Sequence, residues 1–402
     1  MNSVLGRWFR TVLLVAVCLG LGCGLALGAP RVDAAAGVLM DAETGSVLWN
    51  KEMHERRPVA STTKVMTALL ALECSDLDAS VRVGKSVLEI HGSNVGLKPG
   101  DLVRMDDLLA SLLLSSGNDA AVVIAEHVSE SVASFADLMN ARASQLGGSD
   151  THFVNPHGLY DPDHYSSAYD LALFTREAFR HERFGELVGA KVADVELPSS
   201  KDGVVQLINH NKLLWRDGRI DGVKTGYVRQ SGHCLIASGE QDGWRLIAVV
   251  LDSPDMYAEA QALLDYGFSK FERCVYARPG DAVGQAKVRG GRKGTVPAIC
   301  EHELAAVIGP GMSESQLEVT LESLKAPVEQ GVSVGEARLV LGDSVISRSP
   351  LVAGGAVPRS RLIETFLWIM RVVVLLPLLV LVTRTYGKLV KAHRRRRSGI
   401  PA

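Results

Sequence analysis

The chain has 402 residues, 47% of them hydrophobic and 22% charged, with a formal net charge of −2. That is enough apolar sequence for two folded domains, and the near-neutral balance with no basic patch in the body of the chain argues against nucleic acid as a partner. The six cysteines form no CxxC pair, so neither a metal site nor a dense disulfide framework is expected, and no cofactor motif is present.

The chain opens with Arg7 and Arg10, an apolar run from Thr11 to Leu27, and the small residues Gly28 and Ala29. This pattern predicts a secretory signal peptide over residues 1–29. The stretch "AAGVLMDAETGSVLWNKE" then predicts two strands around a turn at Glu43 to Gly45. Next comes "RRPVASTTKVMTALLAL", residues 56 to 72, in which Pro58 and the hydroxyl residues Ser61, Thr62 and Thr63 place a helix start near residue 61. Lys64 is followed by Val65, Met66, Ala68, Leu69, Leu70, Ala71 and Leu72, which leave the helix almost no solvated face. Three residues apart, Ser61 and Lys64 share one face of that helix. Burial lowers a lysine pKa, so Lys64 can take the proton of Ser61 and make it a nucleophile. By itself the same spacing also describes a capping serine beside a lysine that snorkels to solvent.

Helical periodicity continues over Met105 to Leu114, Asp119 to Val128, Ser134 to Leu146 and Asp170 to Phe179. Ser116, Gly117 and Asn118 fall in the turn between the first two, where a hydroxyl and an amide can project into a cleft or simply cap the next helix. In "RIDGVKTGYV", Lys224, Thr225 and Gly226 read as a strand, with glycine marking the close approach of a ligand or another backbone. "GHCLIASGEQDGWRLIAVVLDS" adds two antiparallel strands, and "AEAQALLDYGFSKF" a closing helix. After Arg278 short apolar alternations separated by Gly, Pro and charged residues predict a small β domain. The run Phe366 to Val382 predicts a transmembrane helix or, given its marginal length and the Arg371 and Pro377 within it, an interfacial one; after a span, Arg384, Lys388, Lys391 and Arg394 to Arg397 place the following tail in the cytoplasm.

The expected organisation is thus α+β: a signal peptide at 1–29, a mixed domain at 30–277, a β-rich domain at 278–357, a transmembrane helix at 362–383 and a basic tail at 384–402. Taken in order, the SxxK of Ser61 and Lys64, the SGN of Ser116 to Asn118 and the KTG of Lys224 to Gly226 match the three-part signature of serine enzymes that react with penicillin. With "MDAETGSVL", "PVASTTKVMT", "GLKPGD", "THFVNPHGL", "HYSSAYDLA" and "NHNKLL" beside them, the chain resembles the D-alanyl-D-alanine carboxypeptidases, low-molecular-mass penicillin-binding proteins, over about residues 34 to 355.

The resemblance implies a β-lactamase/penicillin-binding transpeptidase-like domain, a peptidoglycan stem-peptide substrate and β-lactam antibiotics as inhibitors, on the outer face of a bacterial plasma membrane. It implies Ser61 as the acylated nucleophile, Lys64 as its base and Ser116 as a proton relay in contact with Lys64. Asn118 would hold the peptide amide, Lys224 and Thr225 the terminal carboxylate, and the backbone N–H groups of Ser61 and Tyr227, next to Gly226, the oxyanion. Two positions depart from the family pattern: Val228 follows KTG where a threonine is common, and Ser231-Gly232 stands for Ala-Gly. The other readings are a class A β-lactamase, disfavoured by SGN in place of SDN, a non-catalytic peptidoglycan-binding protein on the same fold, and an endopeptidase or transpeptidase using the same residues.

Overall fold

A computed structural model describes residues 29–310, 315–341 and 344–397. The signal peptide expected at 1–29 lies almost wholly outside them. Contacts divide the chain into two compact units, with the boundary between Glu272 and Arg273.

The first unit begins with strands β1 (Ala36–Asp41) and β2 (Val47–Lys51). A single 3₁₀ turn, Ala60–Thr63, leads into helix α1 (Lys64–Cys74). Strands β3 (Ser80–Arg82) and β4 (Leu102–Arg104) pair ahead of α2 (Met105–Leu113), α3 (Asn118–Ser129), α4 (Val132–Gln145), α5 (Ala168–Ala178) and α6 (Glu182–Gly189). The hairpin β5 (Val192–Glu196) and β6 (Val204–Ile208) precedes β7 (Ile220–Val228), β8 (Gly232–Gln241), β9 (Trp244–Ser253) and α7 (Met256–Lys270).

The main sheet has five strands in the order β2-β1-β9-β8-β7, all neighbours antiparallel, as the short turns between strands predict. In the centre β8 and β9 are buried in runs rather than alternately, because both faces are covered by helices. One end strand is β7, so one side of its backbone is not paired within the sheet. Helix α1 packs on α2, α3 and α5, and its residues Lys64 to Ala71 are all buried. That agrees with its lack of a polar stripe. Hydroxyl or carboxylate caps fix three other helix starts: Ser131 accepts from Ser134 N, Ser167 from Asp170 N and Asp255 from Ala258 N.

The α1 start differs from expectation. None of Ser61, Thr62 or Thr63 caps it, because Thr62 donates to Val59 O at 2.7 Å and Thr63 is engaged with His164 Nε2 at 2.9 Å. Likewise α3 starts at Asn118 without a side-chain cap.

The second unit is all-β before its terminal helix. It comprises β10 (Glu272–Ala277), β11 (Ala282–Arg289), β12 (Thr295–Cys300), β13 (Leu304–Ile308), β14 (Ser315–Leu321), β15 (Leu324–Lys325), β16 (Ser333–Leu341) and β17 (Ser344–Ala353). Six of these form a sheet in the order β14-β16-β17-β12-β11-β15, while β10 pairs with β13. Its core is small and aliphatic, with Ala286, Val296, Ala298, Leu304, Val334 and Leu351 fully or nearly buried. Helix α8 (Arg361–Arg397) follows, runs through Pro377 and extends past the expected span of 362–383 into the basic segment. Its residues Arg361–Lys391 are long and apolar enough to cross a membrane.

Candidate active site

Ser61 sits in the 3₁₀ turn directly before α1, which puts its side chain one turn from the first residue of the helix, Lys64. Lys64 is fully buried, and its ammonium donates to Ser61 Oγ at 3.0 Å, Asn118 Oδ1 at 2.7 Å and His157 O at 2.7 Å. As an ammonium Lys64 uses all three donor positions; as a neutral amine it keeps two, and its lone pair can accept from the Ser61 hydroxyl. Burial pushes the Lys64 pKa well below its ordinary value; the charge of Lys224 pushes it the same way and Asp119 opposes both. A buried amine with a depressed pKa, in hydrogen-bond contact with a serine hydroxyl, is a usable general base.

The SGN turn supplies the opposite wall. Ser116 adopts φ +60°, a left-handed conformation that costs a non-glycine residue energy and here reverses the chain between α2 and α3. Asn118 then opens α3, with its amide oxygen on Lys64 and its amide nitrogen donating to His91 O at 2.7 Å. Ser116 is buried, but among the described residues no hydrogen bond joins it to Lys64. The hydrogen bonds of Lys64 go instead to Ser61, Asn118 and the carbonyl of His157.

Lys224, Thr225, Gly226 and Tyr227 lie on the edge strand β7. Lys224 is 1% exposed, donates to Thr225 O at 3.1 Å, and burial lowers its pKa to about 7. Gly226 is explained by space: a Cβ there would lie 3.0 Å from Ser61 N and 3.1 Å from Val59 O. The missing side chain lets β7 press against the backbone of Ser61 itself. Thr225 is half-buried, and Tyr227 is 61% exposed with its ring 4.5 Å from that of His233. Val228, the departure noted after KTG, has its N–H taken by Ser231 Oγ at 3.1 Å.

Three supports were not read from the motifs alone. The turn Pro156-His157-Gly158 caps α1 from outside: Thr67 donates to Pro156 O at 2.6 Å, Lys64 to His157 O, and a Cβ on Gly158 (φ +83°) would fall 1.9 Å from Ala60 O. Burial holds His157 down to about pKa 3 and His164 to about 4, so both rings beside Lys64 are neutral. Asp119, 2% exposed, accepts backbone N–H bonds from Val95, Gly96 and Leu97 and so ties a loop beside Asn118. The only sequence signals were the stretch around "NPHGL" and the carboxylate directly after SGN.

Nothing among the described residues gathers three metal-binding side chains. The site is a serine hydroxyl, a base, an amide and an ammonium around an edge strand.

Residues 25–255 match the family described as D-alanyl-D-alanine carboxypeptidase, peptidase S11. The chain belongs to that family. Residues 271–359 match the penicillin-binding protein 5 C-terminal domain, in agreement with a second unit starting at Arg273. The chain is 32% identical over 332 residues to the D-alanyl-D-alanine carboxypeptidase DacF of Bacillus subtilis, covering 80% of this chain and 85% of the relative. It is 34% identical over 342 residues to DacC of Escherichia coli, covering 81% and 84%. Penicillin-binding protein 5 from Haemophilus influenzae superposes with a TM-score of 0.69 at 29% identity, over 83% of this chain and all of the neighbour. For a peptidase S11 enzyme the activity is D-alanyl-D-alanine carboxypeptidase hydrolysis, the substrate class is peptidoglycan, and β-lactams are ligands. The α+β fold, the β-rich second domain and the family resemblance expected from the motifs are all met, and a class A β-lactamase is set aside.

Proposed function

We propose that this enzyme removes the terminal D-alanine of peptidoglycan stem pentapeptides through an acyl-enzyme on Ser61. The observation that carries the proposal is the 3.0 Å contact between the wholly buried, pKa-depressed Lys64 and Ser61 Oγ.

The substrate's C-terminal end lies extended along the open edge of β7, the usual way a peptide adds to an unpaired strand. Lys224 and the Thr225 hydroxyl take its terminal carboxylate, and Asn118 orients the preceding amide. Lys64, neutral, accepts the Ser61 proton as Oγ attacks the carbonyl of the penultimate D-alanine. The N–H groups of Ser61 and Tyr227 receive the developing oxyanion; donors of this kind lower the barrier by about 3 to 4 kcal/mol. The bond to terminal D-alanine breaks as its nitrogen takes a proton passed on from Lys64 by way of Ser116. Water, deprotonated by the same base, then adds to the ester, releasing the shortened peptide and returning the proton to Ser61.

The family and the apolar α8 fit membrane association. The finer reading is that residues 1–29 direct export, residues 30–277 work outside the plasma membrane, residues 278–357 hold them above it, residues 362–383 span it and residues 384–402 lie in the cytoplasm. The excess of arginine and lysine after the span supports that orientation.

The test is intact mass after mixing with benzylpenicillin. A persistent adduct that vanishes in Ser61→Ala is the expected result, followed by D-alanine release from a pentapeptide. Folded protein that forms no adduct would overturn the proposal in favour of a non-catalytic binder.

A further inference from the structure

At the end of the β-rich unit from which α8 emerges, several cations gather from segments far apart in sequence. β11 and β15 run parallel there, and Arg289 stands in register beside Lys325. Together with Gly290, Ser323 and Leu324 they line a cavity of about 480 Å³. The chain leading into α8 is sewn to the same spot: Gly291 bridges to Arg359, Ser360 N donates to Gly290 O at 2.9 Å, and Arg292 N donates to Pro358 O at 2.8 Å. Arg359 Nε in turn reaches Ala326 O at 3.4 Å. Arg289, Arg292, Lys293, Lys325, Arg359 and Arg361 are all exposed here. The carboxylates on the same segments are Glu322, Glu329 and Glu364, and Glu364 is taken up by Arg292 at 3.0 Å. Six cations therefore face three carboxylates at one end of a chain whose net charge is −2.

We propose that this collar binds the anionic phospholipid headgroups of the membrane that holds α8. The proposal rests on the reading of α8 as membrane-associated. Covalent continuity supplies the placement: the cations sit within a few residues, or one hydrogen bond, of Arg361, where the apolar helix begins. Leu362, 85% exposed, and Ile363, which packs over Gly290, set apolar surface immediately beside the charges. Apolar residues entering the hydrocarbon beneath a ring of exposed lysine and arginine match a bilayer surface carrying phosphate. The cavity beside Arg289 and Lys325 is of a size to admit a phosphate-bearing headgroup, whereas a flat salt-bridged surface would not be. Bound this way, the β-rich unit is held to the surface at a second point and its tilt about the start of α8 is restricted.

The experiment is hydrogen exchange on the full chain reconstituted in vesicles of phosphatidylcholine alone or of phosphatidylcholine with added phosphatidylglycerol. The expected result is exchange slowed roughly threefold or more at residues 288–294 and 323–327 in the anionic vesicles only. Raised salt should remove the difference, and so should the double variant Arg289→Gln/Lys325→Gln. Protection of α8 itself should be the same in every vesicle, since it depends on the apolar helix. Equal exchange of the collar in both vesicles, with α8 protected, would overturn the proposal and leave the membrane reading intact. An unprotected α8 would overturn the membrane reading and the proposal with it. Equal protection by inorganic phosphate with neutral vesicles would identify a general anion site and overturn the assignment to lipid.

Discussion

Lys64 and Lys224 are both fully buried lysines, yet the proposed chemistry asks opposite things of them. Lys64 must be neutral to take a proton, and its depressed pKa, set first by burial and then by Lys224, provides that. Lys224 must be charged to hold a carboxylate, and with a pKa lowered to about 7 it loses that charge as pH rises. The expected kcat/KM profile is therefore a bell, rising as Lys64 deprotonates and falling above about pH 7 as Lys224 does. Lys224→Arg should move the falling limb out of the neutral range, which a pH series on a pentapeptide checks. Stability should run the other way: between about 7 and the ordinary lysine value of 10.5 the unfolded chain binds more protons than the folded one, so this group's contribution to stability rises with pH across that window. Lys64→Arg keeps the charge but not the base, so benzylpenicillin acylation should fall on the order of 10³-fold, with retained acylation counting against Lys64 as base. At this scale Ser61, Lys64, Asn118 and Lys224 were legible because each stands in a motif whose spacing a helix or strand converts directly into proximity. The carbonyl of His157 was not, since a backbone acceptor has no residue type to mark it. Nor could spacing reveal the left-handed conformation of Ser116 that reverses the chain ahead of Asn118.

Between elements, the site is a close approach of β7 to the 3₁₀ turn that carries Ser61. Gly226 sets that spacing, because any side chain would meet Ser61 N, Val59 O and Ala60 Cβ within about 3 Å. Gly226→Ala should push the strand outward by a few tenths of an ångström and lower acylation roughly 10²-fold, with a thermal midpoint close to that of the parent. A large loss of stability instead would mean that the contact serves the fold more than the site. The apolar pattern found α2 to α5, β8, β9 and α7 to within a few residues, because each carries apolar residues that are buried on one face or, as in β8, β9 and α2, nearly all round. It left β5, β6 and α6 unassigned. The β5–β6 hairpin exposes Val192, Val204 and Ile208, so its alternation buries little and the sequence pattern is faint. The basic segment after residue 383 carries too little apolar periodicity to mark a helix, yet arginine and lysine are good helix formers and α8 continues to Arg397.

For the molecule as a whole, α8 is dispensable to the geometry around Ser61, since every bond described there is made within the first unit. A chain ending at Arg359 should leave the membrane fraction yet acylate with benzylpenicillin at a rate within about twofold of the full chain, as expected when sites share no partner. Loss of acylation in that shorter chain would mean that the anchor supports the catalytic unit. The sheet order carries a different consequence, one of time. β1 is among the first strands to emerge during synthesis, yet it lies between β2 and β9, with Ala36 beside Leu251. No stable five-stranded sheet can exist until nearly all of the catalytic unit has left the ribosome, and pairings this distant close slowly. Under the export proposed above that delay is useful: the polypeptide would stay threadable while it crosses the membrane and would assemble its site only on the far side.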